Sequence, residues 1–250
     1  MNALKYGYMS VLSNQVNNAV CAGSERVSTW VRSELYEDEI DHLKELEKAP
    51  VISFRKEFLR WMLSDGAGAF LLENKPNGKT PLKIEWMEGY SYAHELETCM
   101  YAGGDKLEDG TMKSWSEYDQ EEWTEESIFA IKQDVKLLGE NILVKGVDSL
   151  KNALEKNGVA PKDITYYLPH VSSYYFRERL FEEMIKQGME IPWENWFMNL
   201  SKVGNVGAGS IYIMLEELVA SGKLKKGDTI LLSVPESARF SYSYAYLTVC

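Results

Sequence analysis

The sequence predicts a layered α/β fold, and two observations carry the prediction. Apolar runs of strand length alternate with amphipathic helical patterns through most of the chain. Two of these units also share one local grammar. An apolar run (Ile164 to Leu168; Trp196 to Leu200) ends in a turn with one polar side chain, His170 or Asn205, and a helical pattern then begins. Open α/β sheets place ligands at the carboxyl ends of their strands, and a helix N-terminus favours developing negative charge. His170 and Asn205 are therefore candidate hydrogen-bond donors to a single carbonyl oxygen. Each has a bland reading. A lone histidine is more often structural or superficial, and a glycine-rich turn into a helix is weak on its own. The pair weighs more, because both members occupy equivalent points of strand-to-helix turns.

In chain order, Leu4 to Leu12 reads as a helix without an N-cap, and Asn18 to Ala22 as a buried strand bounded by Gly23-Ser24-Glu25. Glu34 to Lys48 is a charged, solvated segment closed by Pro50. Asp65-Gly66-Ala67-Gly68-Ala69 allows close backbone approach and leads into a strand; Asp65 by itself reads as a turn-former. Leu82 to Met87 alternates as a strand should. Glu88 to Trp123 is loop-rich and crowded with aromatic residues, which suits an interface or the cover of a pocket. Thr124 is placed to cap a long helix carrying Ile128, Ile131, Val135, Leu138 and Ile142, interrupted at Gly146 and stopped at Asn157-Gly158. Helices follow from Phe176 to Ile185 and from Ile211 to Leu218. Thr229 to Val234 is a buried strand, Pro235-Glu236-Ser237 a turn, and Phe240 to Val249 a last strand of alternating Ser and Tyr.

Composition sets outer limits. A chain of 250 residues buries a full core. Its formal charge of −11 argues against nucleic acid or anionic membrane as the main partner. No apolar run is long enough for a membrane span. The start lacks the basic-then-apolar form of a signal peptide. Cys21, Cys99 and Cys250 are scattered and odd in number, which suggests neither a disulfide framework nor a metal site. A reducing cytoplasm is the simplest compartment.

Four stretches, in order, resemble the C-terminal two-thirds of β-ketoacyl-acyl carrier protein synthase III, of the thiolase superfamily. They are Asn18 to Glu25 with its Gly-Ser-Glu end, Asp65 to Ala69, Leu168-Pro169-His170, and Gly204-Asn205 with the small residues up to Ser210. Gly222 to Asp228 then leads into the penultimate strand, as in that family. The resemblance implies a thiolase-like α/β/α/β/α sandwich. Residues 1–80 would be the remnant of the N-terminal half, and residues 81–250 the C-terminal half carrying His and Asn. It implies condensation of an acyl thioester with an extender held on acyl carrier protein, with acyl-CoA or acyl-carrier protein as substrate and no cofactor or metal. His170 and Asn205 would be catalytic, and Gly204, Gly207, Ser173, Pro235 and Ser237 would line the substrate site. The implied partners are acyl carrier protein and an N-terminal half or second synthase subunit in a dimer.

Departures are visible. The family's third catalytic residue is a cysteine at the start of a helix, and counting back from Gly23 puts its place a few residues before Met1. None of the three cysteines sits where a helix N-terminus would lower a thiol pKa. Ser173 stands where the family has Asn, and Pro235 to Arg239 replaces a glycine-rich loop. The long aromatic segment favours a specialised enzyme of aryl polyene or dialkylresorcinol type. The alternative is a non-catalytic partner that binds acyl carrier protein or pairs with an active synthase. A nucleotide-binding reading of the Gly204 turn lacks the P-loop lysine and the dinucleotide glycine order.

Overall fold

A computed structural model describes residues 1–32, 59 and 62–250. The charged stretch from Glu34 to Lys48 and its Pro50 stop lie outside the described residues. The elements are α1 (Asn2–Leu12), β1 (Asn18–Glu25), β2 (Gly66–Glu73), β3 (Leu82–Ser91), β4 (Met100–Tyr101), β5 (Gly104–Lys106), β6 (Met112–Ser114), α2 (Glu122–Glu125) and β7 (Lys132–Gln133). After these come α3 (Val135–Lys156), β8 (Tyr166–Pro169), α4 (Tyr175–Lys186), α5 (Leu200–Val203), α6 (Ser210–Ala220), β9 (Thr229–Glu236) and β10 (Ser241–Val249).

The central sheet runs β3-β10-β9-β8, with β8 parallel to β9 and the other pairs antiparallel. Strand alternation sends successive side chains to opposite faces. Tyr167, Leu231, Tyr242, Tyr244 and Tyr246 pack with α3 on one face. Leu168, Ile230, Leu232, Ala245 and Leu247 pack with α1 and α6 on the other. In β3, Ile84 and Met87 both serve the second face despite their odd spacing. A bulge at Glu85, between the pairs Tyr246↔Trp86 and Leu247↔Ile84, shifts the parity by one residue. The repeated Ser-Tyr pattern of β10 thus has a packing explanation. Tyr242 and Tyr244 donate to the Ile142 and Gly146 carbonyls of α3, both at 2.8 Å.

A second layer of strand lies beyond α1 and α6. β1 and β2 pair antiparallel from Asn18↔Glu73 to Glu25↔Gly66. Their glycines let this ribbon sit directly on α6: a Cβ on Gly68 would be 2.5 Å from Tyr212 Cβ. The described residues therefore stack as helix, sheet, helix and sheet. β1 is not a buried strand, because only one face is covered. Val20 is 72% exposed and its cross-strand partner Leu71 59%.

Three expectations need correcting. No long helix runs from Thr124. α2 ends at Glu125, Ser127 adopts a positive φ, and α3 starts at Val135 under an Asp134 cap that accepts the Leu137 N–H at 2.9 Å. Tertiary pairing overrides propensity here. Lys132 and Gln133 form a ribbon with β4, and the Lys132 ammonium is buried against Asp105. Gly146 does not interrupt α3 but admits the Tyr242 ring, which a Cβ would meet at 3.1 Å. Trp196 to Leu200 is not a strand. Trp196 makes only an isolated bridge to Tyr167, held by ring contacts with Tyr167 and Trp193, and Leu200 starts a helical turn.

Candidate functional site

β8 and β9 run parallel, and α6 leads through a short connection into the start of β9. The N-terminal end of α6 therefore lies toward the carboxyl ends of both strands. His170 follows β8 directly, and its N–H extends the pairing by donating to Ser233 O at 2.8 Å. Two positions earlier, Leu168 packs with Ile211 and Tyr212 of α6. Alternation puts His170 on that same face. The topology thus gathers His170 and the Asn205 turn at one end and on one side of the sheet.

His170 retains some solvent exposure but is surrounded closely enough that loss of hydration pushes its imidazole down to about 4. The ring is therefore neutral near pH 7. Its side chain has no hydrogen-bond partner among the described residues, which leaves one ring N–H as a donor.

Asn205 is 4% exposed. Its Oδ1 accepts the Gly207 N–H at 3.1 Å, which fixes the amide so that Nδ2 is the uncommitted end. The turn around it is anchored by the rest of the chain. Ser64 N–H donates to Asn205 O at 2.8 Å, Val206 N–H to Ser210 Oγ at 2.9 Å, and Ala208 N–H to Glu25 Oε1 at 3.0 Å. Gly209 N–H reaches Val206 O at 2.9 Å. The backbone donors at this helix mouth are consequently satisfied by protein. The expectation that the helix N-terminus itself receives negative charge is corrected: the donor this turn offers is the Asn205 side chain.

The remaining predicted residues have identifiable positions. Gly204 has φ 76°, and a Cβ there would meet Ser64 Oγ at 2.5 Å, so the turn requires glycine on both counts. Gly207 has φ 49° with Glu25 Cγ 2.8 Å from a built Cβ. Ser173 Oγ accepts the Tyr175 N–H at 3.2 Å and starts α4. Pro235 is not in a turn but inside β9, beyond the end of β8, where an unpaired edge tolerates the missing N–H. Ser237 Oγ receives the Gln133 amide at 3.3 Å. Its neighbours Ala238 and Arg239 donate their N–H groups to the Glu236 carboxylate at 2.5 and 3.3 Å.

The cysteines lie elsewhere. Cys21 is buried in β1 beside Gly7, and burial pushes its thiol up. Burial, reinforced by nearby Asp134, pushes the Cys99 thiol up to about 12. Cys250 is exposed. Sequence reasoning missed Glu25, Ser64 and Ser210 as parts of the Asn205 turn. Ser210, within the small-residue run, was the one with a local signal.

The family described as 3-oxoacyl-[acyl-carrier-protein (ACP)] synthase III C terminal matches residues 154–235. Beta-ketoacyl-[acyl-carrier-protein] synthase III of Aquifex aeolicus is 33% identical over 103 residues, 40% of this chain and 32% of the relative. The same-named protein of Coxiella burnetii is 25% identical over 222 residues, 86% of this chain and 60% of the relative. The crystal structure of 3-oxoacyl-[acyl-carrier-protein] synthase III from Aquifex aeolicus superposes with a TM-score of 0.65 at 21% identity, covering 99% of this chain and 63% of that one. The chain thus spans less than two thirds of these proteins.

Proposed function

From a chain that is β-ketoacyl-ACP synthase III-like and thiolase-like in fold, we propose that it supplies the decarboxylation half of a condensing acyltransferase site. The observation that carries this is a pair of neutral donors at one end of the sheet: the His170 ring N–H and the Asn205 Nδ2. Both would donate to the thioester oxygen of an extender such as a malonyl group on acyl carrier protein. The bond to the carboxylate breaks, CO2 leaves, and the electron pair stays on the α-carbon as an enolate whose oxygen the two donors stabilise. The carbanion then attacks an acyl thioester, forming the new carbon–carbon bond and expelling a thiolate. A histidine charged at pH 7 would favour the carboxylate it must release; a depressed pKa avoids that.

The acyl-bearing thiolate is proposed to lie outside these 250 residues, because Cys21, Cys99 and Cys250 are buried, deactivated or away from any helix start. Residues 1–80 are read as part of an N-terminal thiolase half and residues 81–250 as the C-terminal half, with Gly204, Gly207, Ser173, Pro235 and Ser237 around the substrate. The exposed Val20–Leu71 pair and the Tyr6 and Met9 side chains of α1 favour cover by another polypeptide, an N-terminal half or second subunit in a dimer. The setting is cytoplasmic, and the product a fatty acid or specialised lipid of aryl polyene or dialkylresorcinol type. The non-catalytic reading draws on the same cysteines.

The test is made on the chain purified from its own cells with whatever polypeptide accompanies it. Release of labelled CO2 from malonyl-acyl carrier protein should fall by about 10²–10³ in His170→Ala or Asn205→Ala, the usual loss for one oxyanion donor. Unchanged release in both variants refutes the assignment. Binding of the carrier protein without any CO2 release favours the non-catalytic partner.

A further inference from the structure

We infer that Glu25 is a positioning residue that selects which end of the Asn205 amide faces the site. The inference rests on the proposed donor role of Asn205. Glu25 ends β1, in the outer ribbon, yet its Oε1 accepts the Ala208 N–H at 3.0 Å across 183 positions of sequence. The same side chain fills the space a Cβ on Gly207 would need. Gly207 is the pivot of the turn. At φ 49° a glycine pays no steric penalty, and nothing intrinsic to it prevents the flanking peptides from rotating. Four contacts hold them. The peptide before Gly207 is held at its N–H by Asn205 Oδ1 and at its carbonyl by the Gly209 N–H. The peptide after it is held at its carbonyl by the Ser210 N–H and at its N–H by Glu25.

These contacts form a relay. Glu25 fixes the Gly207–Ala208 peptide, that peptide fixes the direction of the Gly207 N–H, and the Gly207 N–H holds Oδ1 of Asn205. Nδ2 is thereby left as the free end. Without the carboxylate, the Ala208 N–H loses its acceptor and the peptide after the glycine pivot keeps only its carbonyl contact with Ser210. The Asn205 amide can then turn its oxygen outward, where it would repel a developing oxyanion. Glu25 touches no reacting atom in this scheme; it acts through the backbone. The carboxylate meets Ala208 in the turn just ahead of α6, near the positive end of that helix, and Asn205 Nδ2 remains the turn's donor.

The test uses the full chain with its accompanying polypeptide and three variants: Glu25→Ala, Glu25→Asp and Glu25→Gln. Glu25→Gln keeps an acceptor oxygen at the same reach and should behave as wild type. Glu25→Asp keeps the charge but loses the reach and should behave as Glu25→Ala. The first readout is the side-chain amide signal of Asn205 in protein labelled with ¹⁵N-asparagine, assigned by its disappearance in Asn205→Ala. It should broaden or move in Glu25→Ala and Glu25→Asp and stay in place in Glu25→Gln. The second readout is CO2 release from malonyl-acyl carrier protein. Glu25→Ala should lower kcat about tenfold or more with KM little changed, as expected when a reacting group is misplaced. Adding Glu25→Ala to Asn205→Ala should cost nothing further, the non-additivity of residues that act as one unit. An unmoved Asn205 signal in Glu25→Ala, or a fully additive double variant, overturns the inference. If Asn205→Ala itself leaves release unchanged, the proposed function fails, and the amide signal still decides the role of Glu25.

Discussion

Replacing Gly23 by alanine tests the packing that brings the outer ribbon onto the Asn205 turn. A methyl group there would lie 2.7 Å from the Ala208 carbonyl carbon, closer still to its oxygen, and 3.1 Å from Tyr212 Cε2. Carbon atoms prefer about 3.5–4.0 Å, so nearly an ångström must be found in β1 or in the turn. Neither yields easily. β1 is registered against β2 along its whole length, and the turn is pinned by Ser64, Ser210 and Glu25. Overpacking of this kind costs about 1–3 kcal/mol. Alanine recovers about 0.4–1 kcal/mol by restricting the unfolded chain, so a net loss of about 1–2 kcal/mol is expected. In a chain of this size each kcal/mol moves Tm by about 2–4 °C, and Gly23→Ala should melt about 2–8 °C below wild type by circular dichroism. Gly139→Ala is the matched control. Gly139 lies in α3, is exposed, and has no atom within 4 Å of a built Cβ. Alanine there should raise stability by about 0.5–1 kcal/mol through helix propensity alone. A Gly23→Ala protein that melts at or above wild type would refute the close-packing argument.

Two further outcomes follow from burial. The His170 imidazole signals should titrate with a midpoint near 4 rather than near the ordinary histidine value. Its folded pKa lies below the unfolded one, so the unfolded chain binds the extra proton. Its contribution is complete above about pH 6.5 and is lost as pH falls toward 4, by about 2–3 kcal/mol allowing for partial exposure. The drop in urea midpoint between pH 7 and pH 4.5 should therefore shrink in His170→Gln, and an imidazole titrating near 6.5 would refute the depressed value. Among the cysteines, Cys250 should react with iodoacetamide in the folded protein while Cys21 and Cys99 stay protected. Mass spectrometry after incubation with acyl-carrier substrate should find no acyl group on any of the three; a stoichiometric thioester would relocate the nucleophile into this chain.

The sequence by itself determined the elements whose signals are local. α1, α4, α6, β2, β9 and β10 follow from periodicity and from glycine stops at Gly188 and Gly222, both with positive φ. The placing of His170 after a strand and of Asn205 in the turn before a helix was legible because each is a single polar side chain between two patterned runs. Tertiary structure decided what no window of sequence holds. Residues 126–133 have helical spacing, yet they yield to strand pairing with β4 and to the ion pair of the buried Lys132 with Asp105. Trp196 satisfies a strand pattern but is held by rings, not by a ladder. Glu25 and Ser64 approach the Asn205 turn only because β1 and β2 fold back over α6. Residues so far apart in sequence share no periodicity; their hydrogen bonds depend on the chain having already closed those loops.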